Sequence, residues 1–210
     1  MAVKFYVKGS KELKSELKKL EKVPRTVLNR TMSDIKKRAP SWVAAEVAGQ
    51  YGIKKQEVGD GETSTLKVVG NSINDVALVY RGRVLTPTHF GMSPKAPKEG
   101  AYTLKATIVK GKRTTLGKVK KLTKKQRAAL GKNFRREGTR KSDHSPIMLM
   151  APKGVYIPFQ RKSTNRKDVE AIKTLSVPQM IDNRAAPHIH KAIGENLQKR
   201  VEHHMRLFEK

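Results

Sequence analysis

Histidines are the first side chains in this sequence whose chemistry could be catalytic or metal-binding. The chain has six, and no two stand at the i, i+4 spacing that places two imidazoles on one helical face. His188 and His190 are two residues apart and His203 and His204 are adjacent, so on a helix the members of each pair point in different directions. We therefore expect all six to be solvated or structural, with no metal site and no cofactor.

Acidic and glycine-rich motifs are equally sparse. Asp60 and Glu62 flank Gly61 in a turn-like stretch, whereas an EF-hand loop would need more carboxylates. The same stretch lacks the Gly-Lys-Ser/Thr that completes a phosphate-binding loop, and the chain has no Gly-x-Ser-x-Gly elbow. The absence of Cys excludes disulfides, thiolate metal sites and cysteine nucleophiles. The sequence therefore predicts no catalytic residues and a protein that is not an enzyme.

The dominant chemical signal is positive charge. The 210 residues include 46 Lys and Arg against 18 Asp and Glu, for a formal charge of +28. Between Lys110 and Lys141 there are 14 Lys or Arg and one acid, Glu137. Lys and Arg bind polyanions by displacing counterions from phosphates. Phe134 is the only aromatic residue of this block, so it offers no stacking platform for bases, and no zinc-finger or RNP motif is present.

We therefore predict a basic segment that contacts a polyanion without reading its sequence. The partner is DNA or an acidic protein surface, and a solvated face is the alternative interpretation. The segment has few acids or large apolar residues to offset desolvation, so we expect its cations to be exposed and outside the core. These residues are Lys118, Lys120, Lys121, Lys124, Lys125, Arg127, Lys132, Arg135, Arg136, Arg140 and Lys141.

Helices are predicted at both ends of the chain. From Ser10 to Gln50 the apolar residues keep a helical spacing, and Pro24 and Pro40 are each expected to begin a new helix. Near the other end, Pro187 is a natural first-turn residue for an amphipathic helix of about 22 residues, near 33 Å long. Its apolar ladder comprises Ile189, Ile193, Leu197, Val201, Met205 and Phe208.

Between these helices the pattern indicates strands. Thr65–Val69, Val76–Tyr80 and Tyr102–Val109 are short β-branched or aromatic runs, and Ile147–Met150 with Gly154–Phe159 is typical of a β-hairpin. The apolar residues of Val76–Tyr80 are continuous, which favours a strand covered on both faces. Short turns favour antiparallel pairing. The predicted fold is α+β, with N- and C-terminal amphipathic helices packed on a small, mostly antiparallel β-sheet. We expect one domain over 1–210, with a basic extended insertion at about 110–145.

Composition also bears on the cellular location. No apolar run approaches the 18 residues of a membrane span, and Met1–Phe5 lacks the apolar core of a signal peptide. We expect synthesis in the host cytoplasm and no contact with a membrane.

The order of these elements resembles the minor tail protein Z family of long-tailed phages and prophages, also called tail completion proteins. The most specific stretches of the resemblance are the helical region Arg30–Ile53 and the sequence Ser176–Met180 before the final helix. A basic N-terminal helical region, a β region, a Lys/Arg-rich stretch, the strand Val155–Arg161 and a basic C-terminal helix complete the order. The resemblance covers nearly the whole chain, apart from a longer and more basic stretch at Thr114–Ser145.

The resemblance implies a virion structural protein that completes the head-proximal end of the tail and supports head–tail joining and DNA positioning. It implies a homo-oligomer within a ring, with the tail terminator and connector as neighbours and nonspecific contact with DNA in the lumen. A second hypothesis is a free, nonspecific nucleic-acid-binding protein of ribosomal or chromatin type. Copy number in purified virions separates the two, because both hypotheses predict binding to nucleic acid.

Overall fold

The computed structural model describes residues 5–6, 24–70, 77–119, 146–151, 154–161 and 169–209. The contacts divide the chain into two compact units. The first unit takes its residues from Met1–Val84 and Leu175–Lys210, and the second from Leu85–Thr174. The single-domain organisation stays a prediction. The part of the predicted N-terminal helical region that lies between Ser10 and Pro24 is outside the described residues.

A single long helix, α1, occupies Arg25–Gln50 in the first unit. Pro24 stands at its N-cap, as expected, but Pro40 lies inside the helix, so the prediction that a second helix begins at Pro40 is wrong. A proline inside a helix removes one backbone donor and crowds the carbonyl four residues earlier. The buried side chains nevertheless continue at every fourth residue across Pro40, and this packing holds the helix together. They are Val27, Thr31, Ile35, Ala39, Val43 and Val47.

The C-terminal helical region begins with a capping box. The backbone N–H of Ser176 donates to the Gln179 side chain at 2.9 Å, and the backbone N–H of Gln179 donates to Ser176 Oγ at 3.4 Å. This box opens the short helix α2, Val177–Met180, which continues through a π-helical turn, Ile181–Ala185, into α3, Ala186–Phe208. The 23 residues of α3 confirm the predicted length, with Pro187 in its first turn.

Helices α1 and α3 pack against each other. From the predicted apolar ladder of α3, Ile189, Leu197 and Val201 are buried, whereas Phe208 at the helix end is 53% exposed. Asp34 of α1 also contacts side chains of α3. The two terminal helices therefore share one apolar seam.

A three-stranded antiparallel sheet completes the first unit. Its order is β1 (Phe5–Tyr6), β3 (Ala77–Gly82) and β2 (Ser64–Val69), with β3 in the centre. Leu78, Val79 and Tyr80 are all buried, which confirms the expectation of a strand covered on both faces. Between α1 and β2, a short 3-10 helix spans Lys55–Glu57.

Gly82 ends β3 where only glycine fits. A Cβ atom there would lie 2.9 Å from the Thr63 carbonyl oxygen and 3.1 Å from Cδ of Pro178. The close approach lets the first turn of α2 pack against the end of the sheet, and it links the capping box to β3.

The second unit begins at Leu85 and ends at Thr174. These two residues are held together, because both the N–H and the hydroxyl of Thr174 donate to the Leu85 carbonyl at 2.8 Å. A 3-10 helix, Pro87–Phe90, follows Leu85 and buries Phe90 completely. This turn is therefore packed around an apolar residue.

Two small sheets make up most of the remaining described residues of the second unit. One is a hairpin of β4 (Tyr102–Val109) and β5 (Lys112–Val119). The other has the antiparallel order β6 (Ile147–Met150), β7 (Tyr156–Arg161) and β8 (Val169–Ala171). The β6–β7 pair confirms the hairpin predicted at this position.

Strand β5 is one of three strands that the sequence pattern did not predict, together with β1 and β8. The residues from Lys112 to Val119 fall within the basic extended insertion that the sequence predicts at about 110–145. Gly111 instead occupies the two-residue turn between β4 and β5 with a φ of 78°, which suits glycine in a tight hairpin.

The observed architecture confirms the α+β fold class, with long helices near both ends of the described chain and small antiparallel sheets. In the part of the chain that the structure describes, no helix combines the length and apolar character needed to cross a membrane.

Candidate polyanion-binding surface

The β4–β5 hairpin separates its apolar and basic residues onto opposite faces. Leu104 and Ala106 are completely buried, so one face of β4 packs into the second unit. Thr103 and Lys105 alternate with them and are exposed. The remaining residues of the exposed face come from β5.

The antiparallel register places cations and hydroxyls of β5 beside those of β4. Thr103 pairs with Lys118, and Lys105 pairs with Thr115, so these four residues share the exposed face. Arg113 lies two residues before Thr115 on the same strand and is also exposed. We call Thr103, Lys105, Arg113, Thr115 and Lys118 the hairpin face.

The charge of the hairpin has one sign. Residues 102–119 contain five Lys or Arg and no Asp or Glu. Lys and Arg on such a surface bind phosphate or carboxylate groups, and Thr hydroxyls add hydrogen bonds to the same oxygens. Ile108 and Val109 near the tip, and Leu116 farther along β5, are half-buried, so the hairpin also offers some apolar area to a protein partner.

The hairpin stands where the predicted basic segment begins. A Cβ atom at Gly117 would lie 2.9 Å from Pro146, so the end of β5 closely approaches the residue before β6. Val119 and Ile147 line the same pocket, of about 310 Å³. The end of β5 and Pro146, the described residues nearest to 120–145 in the sequence, therefore lie close together at the open end of the hairpin.

The same pocket contains Tyr102, at the start of β4. Burial raises the pKa of the Tyr102 hydroxyl, while a hydrogen bond with the Lys98 backbone opposes the increase. The pocket contains one Lys and one Glu among mainly apolar side chains, and this composition supports no particular chemistry. Its lining comprises Pro97, Lys98, Glu99, Tyr102, Val119, Ile147 and Met148.

Among the predicted polyanion-contacting residues, the structure places Lys118. It lies on β5, exposed and opposite Thr103, within the hairpin face. The hairpin adds Lys105 and Arg113, which sequence reasoning did not select. The dipeptide Lys110-Gly111 between two strand-length runs was the signal that could have identified them. The other predicted residues lie outside the described part of the chain: Lys120, Lys121, Lys124, Lys125, Arg127, Lys132, Arg135, Arg136, Arg140 and Lys141.

One histidine takes part in a charged cluster between α1 and α3. His204 Nε2 lies 3.2 Å from Asp34 Oδ2, and a guanidinium nitrogen of Arg200 lies 3.7 Å from the same oxygen. The His203 ring stacks edge-on against His204, with ring centroids 5.2 Å apart. Asp34 ties the two helices together in this cluster, which agrees with a structural role for His204.

Asp60 has the turn role that the sequence indicated. The backbone N–H groups of Glu62 and Thr63 both donate to Asp60 Oδ1 at 2.8 Å. Desolvation raises the pKa of this carboxyl, but these hydrogen bonds outweigh it and hold the pKa below its ordinary value. The described residues contain no group of three or more His, Asp or Glu side chains placed to hold a metal ion.

Comparison of the chain with protein-family models, curated proteins and solved structures gives no match.

Proposed function

We propose that this chain is a non-enzymatic structural protein of a phage tail or neck. It completes the head-proximal end of the tail and supports head–tail joining and DNA positioning, as a homo-oligomer in a ring beside the tail terminator and connector. The assembled virion is its location, after synthesis in the host cytoplasm. The family resemblance of the sequence supplies this role.

The observation that carries the proposal is the hairpin face. It is a two-stranded surface with exposed cations and hydroxyls and no acid, and residues 120–145, which follow it in the sequence, contain ten further cations. In a ring every copy contributes this charge, so the lumen or the contact with a neighbour has a strong positive field. DNA phosphates and acidic neighbouring subunits are both suited to such a surface.

The first test is the phenotype of particles that lack the protein. We expect negative-stain images to show heads and tails that fail to join, because the head-proximal end of the tail is incomplete. Normal joined particles would contradict the proposal. Intact particles together with a defect in the ribosomes or the nucleoid would favour the free nucleic-acid-binding protein instead.

Complementation then tests the hairpin face within the same particles. The variant Lys105→Gln, Arg113→Gln, Lys118→Gln should restore joining poorly, because it removes three charges from the face. The matched control is Lys54→Gln, Lys55→Gln, Lys95→Gln, which removes three exposed charges elsewhere. Equal complementation by both variants would show that the hairpin face does not carry the function.

A further inference from the structure

The outward face of α1 is a second basic surface, separate from the hairpin. Between Arg25 and Ser41 every exposed side chain is a cation, a hydroxyl or an amide, and none is acidic or apolar. We call this set the α1 face: Arg25, Thr26, Asn29, Arg30, Ser33, Lys37, Arg38 and Ser41. It extends over about 24 Å at 1.5 Å per residue.

The one acid in this part of α1 does not neutralise the α1 face. Asp34 stands four residues from both Arg30 and Arg38, the spacing at which helix side chains form ion pairs. Its carboxylate instead meets Arg200 and His204 of α3, at 3.7 and 3.2 Å. The Asp34 carboxylate, 26% exposed, is therefore paired with side chains of α3 and not with the cations of the α1 face.

The first cation of the α1 face, Arg25, does not stabilise α1 through the helix dipole. Arg25 lies in the first turn, where the helix dipole favours an acid, and α1 has no acid there and no side-chain N-cap. The exposed side of α3 is different. It alternates Lys191, Lys199 and Arg206 with Glu195 and Glu202, which is the mixed pattern of a solvated helix.

We propose that the α1 face binds the phosphate backbone of duplex DNA. Protein interfaces have an apolar, aromatic-rich centre, and helices that lie on membranes present an exposed apolar face, whereas the α1 face has neither. Contacts to phosphates come from Lys, Arg, Ser, Thr and Asn side chains, which are the types found here. The α1 face has no exposed aromatic side chain, which disfavours single strands, since these bind by base stacking.

Arg30 and Lys37 lie near the middle of the α1 face. They are seven residues apart, about 10.5 Å along the helix, and Arg38 adds a third cation beside them. Backbone contacts of this kind carry no sequence information, so one duplex is bound as well as another. The α1 face works independently of the hairpin face, and the role in a tail or neck does not depend on it.

The test compares two variants of the full-length chain in binding to a fluorescent duplex of about 30 base pairs, over a range of salt concentrations. The first, Arg30→Gln, Lys37→Gln, Arg38→Gln, removes three cations from the α1 face. Its matched control, Lys191→Gln, Lys199→Gln, Arg206→Gln, removes three from α3. Each lost phosphate contact reduces the magnitude of the negative slope of log K against log salt by about 0.9. We therefore expect this magnitude to fall by about 2.7 for the first variant and to change little for the control.

An unchanged slope for the α1 variant, or equal decreases for both variants, would overturn the proposal. Loss of binding to an acidic polypeptide with DNA binding intact would also overturn it, in favour of a protein partner. The charge-preserving variant Arg30→Lys, Lys37→Arg, Arg38→Lys should keep the wild-type slope. A smaller slope in this variant would overturn the proposal, because it would show that the substitutions act through folding and not through charge. Particle images test the tail or neck role separately, because that role does not depend on DNA binding by the α1 face.

Discussion

Replacement of Pro40 by Ala should stabilise the protein, because Pro40 lies inside α1. A proline in a helix interior costs about 3 kcal/mol relative to Ala, from the missing N–H and the clash with the carbonyl four residues earlier, here that of Lys36. Proline also restricts the unfolded chain, and its removal returns about 0.4–1 kcal/mol to the unfolded state. The net expectation is a gain of about 2 kcal/mol in the free energy of unfolding.

The gain should be visible as a rise in Tm of about 4–8 °C, since about 1 kcal/mol corresponds to 2–4 °C for a chain of this size. Differential scanning calorimetry would measure it, with urea unfolding as a second assay. The matched control is Pro24→Ala. Pro24 stands at the N-cap with a φ of −55° and ψ of 139°, outside the helix, so only the unfolded-state effect applies. We expect Pro24→Ala to lower stability by about 0.4–1 kcal/mol.

A fall in Tm for Pro40→Ala equal to that for Pro24→Ala would refute this reasoning. It would show that the chain does not form one helix through Pro40, and that the restart indicated by the sequence was right.

Four further substitutions test the packing and the turn chemistry. Leu197→Asp or Val201→Asp should abolish cooperative unfolding, because both side chains are buried and an unpaired buried carboxylate costs several kcal/mol. Circular dichroism melts would show this, with the exposed position Lys199→Asp as the control. A wild-type melt for either buried variant would contradict the buried seam. Tyr80→Phe should leave stability unchanged or raise it by about 1 kcal/mol, because the buried Tyr80 hydroxyl has no hydrogen-bond partner among the described residues; a clear loss in urea unfolding would reveal a partner. Asp60 has its pKa lowered in the folded state, so its contribution to stability is present above its ordinary pKa of 3.8 and is lost as the pH falls through the lower folded value. Asp60→Asn should therefore show a weaker loss of Tm between neutral and strongly acidic pH, and parallel pH profiles for both proteins would count against the turn.

Much of the fold could be predicted because its signals are local. The strand at Val76–Tyr80 and the C-terminal helix follow from β-branched runs and from an i+4 ladder, and both are packed as these patterns indicate. The same ladder through α1 contained the information that Pro40 does not end the helix. The proline signal was given more weight than the apolar spacing, although burial of a continuous face can outweigh one lost hydrogen bond.

The surfaces were harder to predict, because they depend on pairing between distant residues. Lys105 and Arg113 lie on one face only because of the register of β4 and β5. The high density of Lys and Arg concealed the strand pattern of β5. The charge of the α1 face depends on Asp34 contacting Arg200 and His204, about 170 residues later in the chain. No periodicity within α1 reveals which of its charges α3 will neutralise.

The most direct test of the proposed tail or neck role is the copy number of this chain in purified particles. Quantitative mass spectrometry of virions and of separated tails should find a small, fixed number of copies per particle, as a ring component requires. Particles without the chain, together with its recovery in ribosome or nucleoid fractions, would contradict the account.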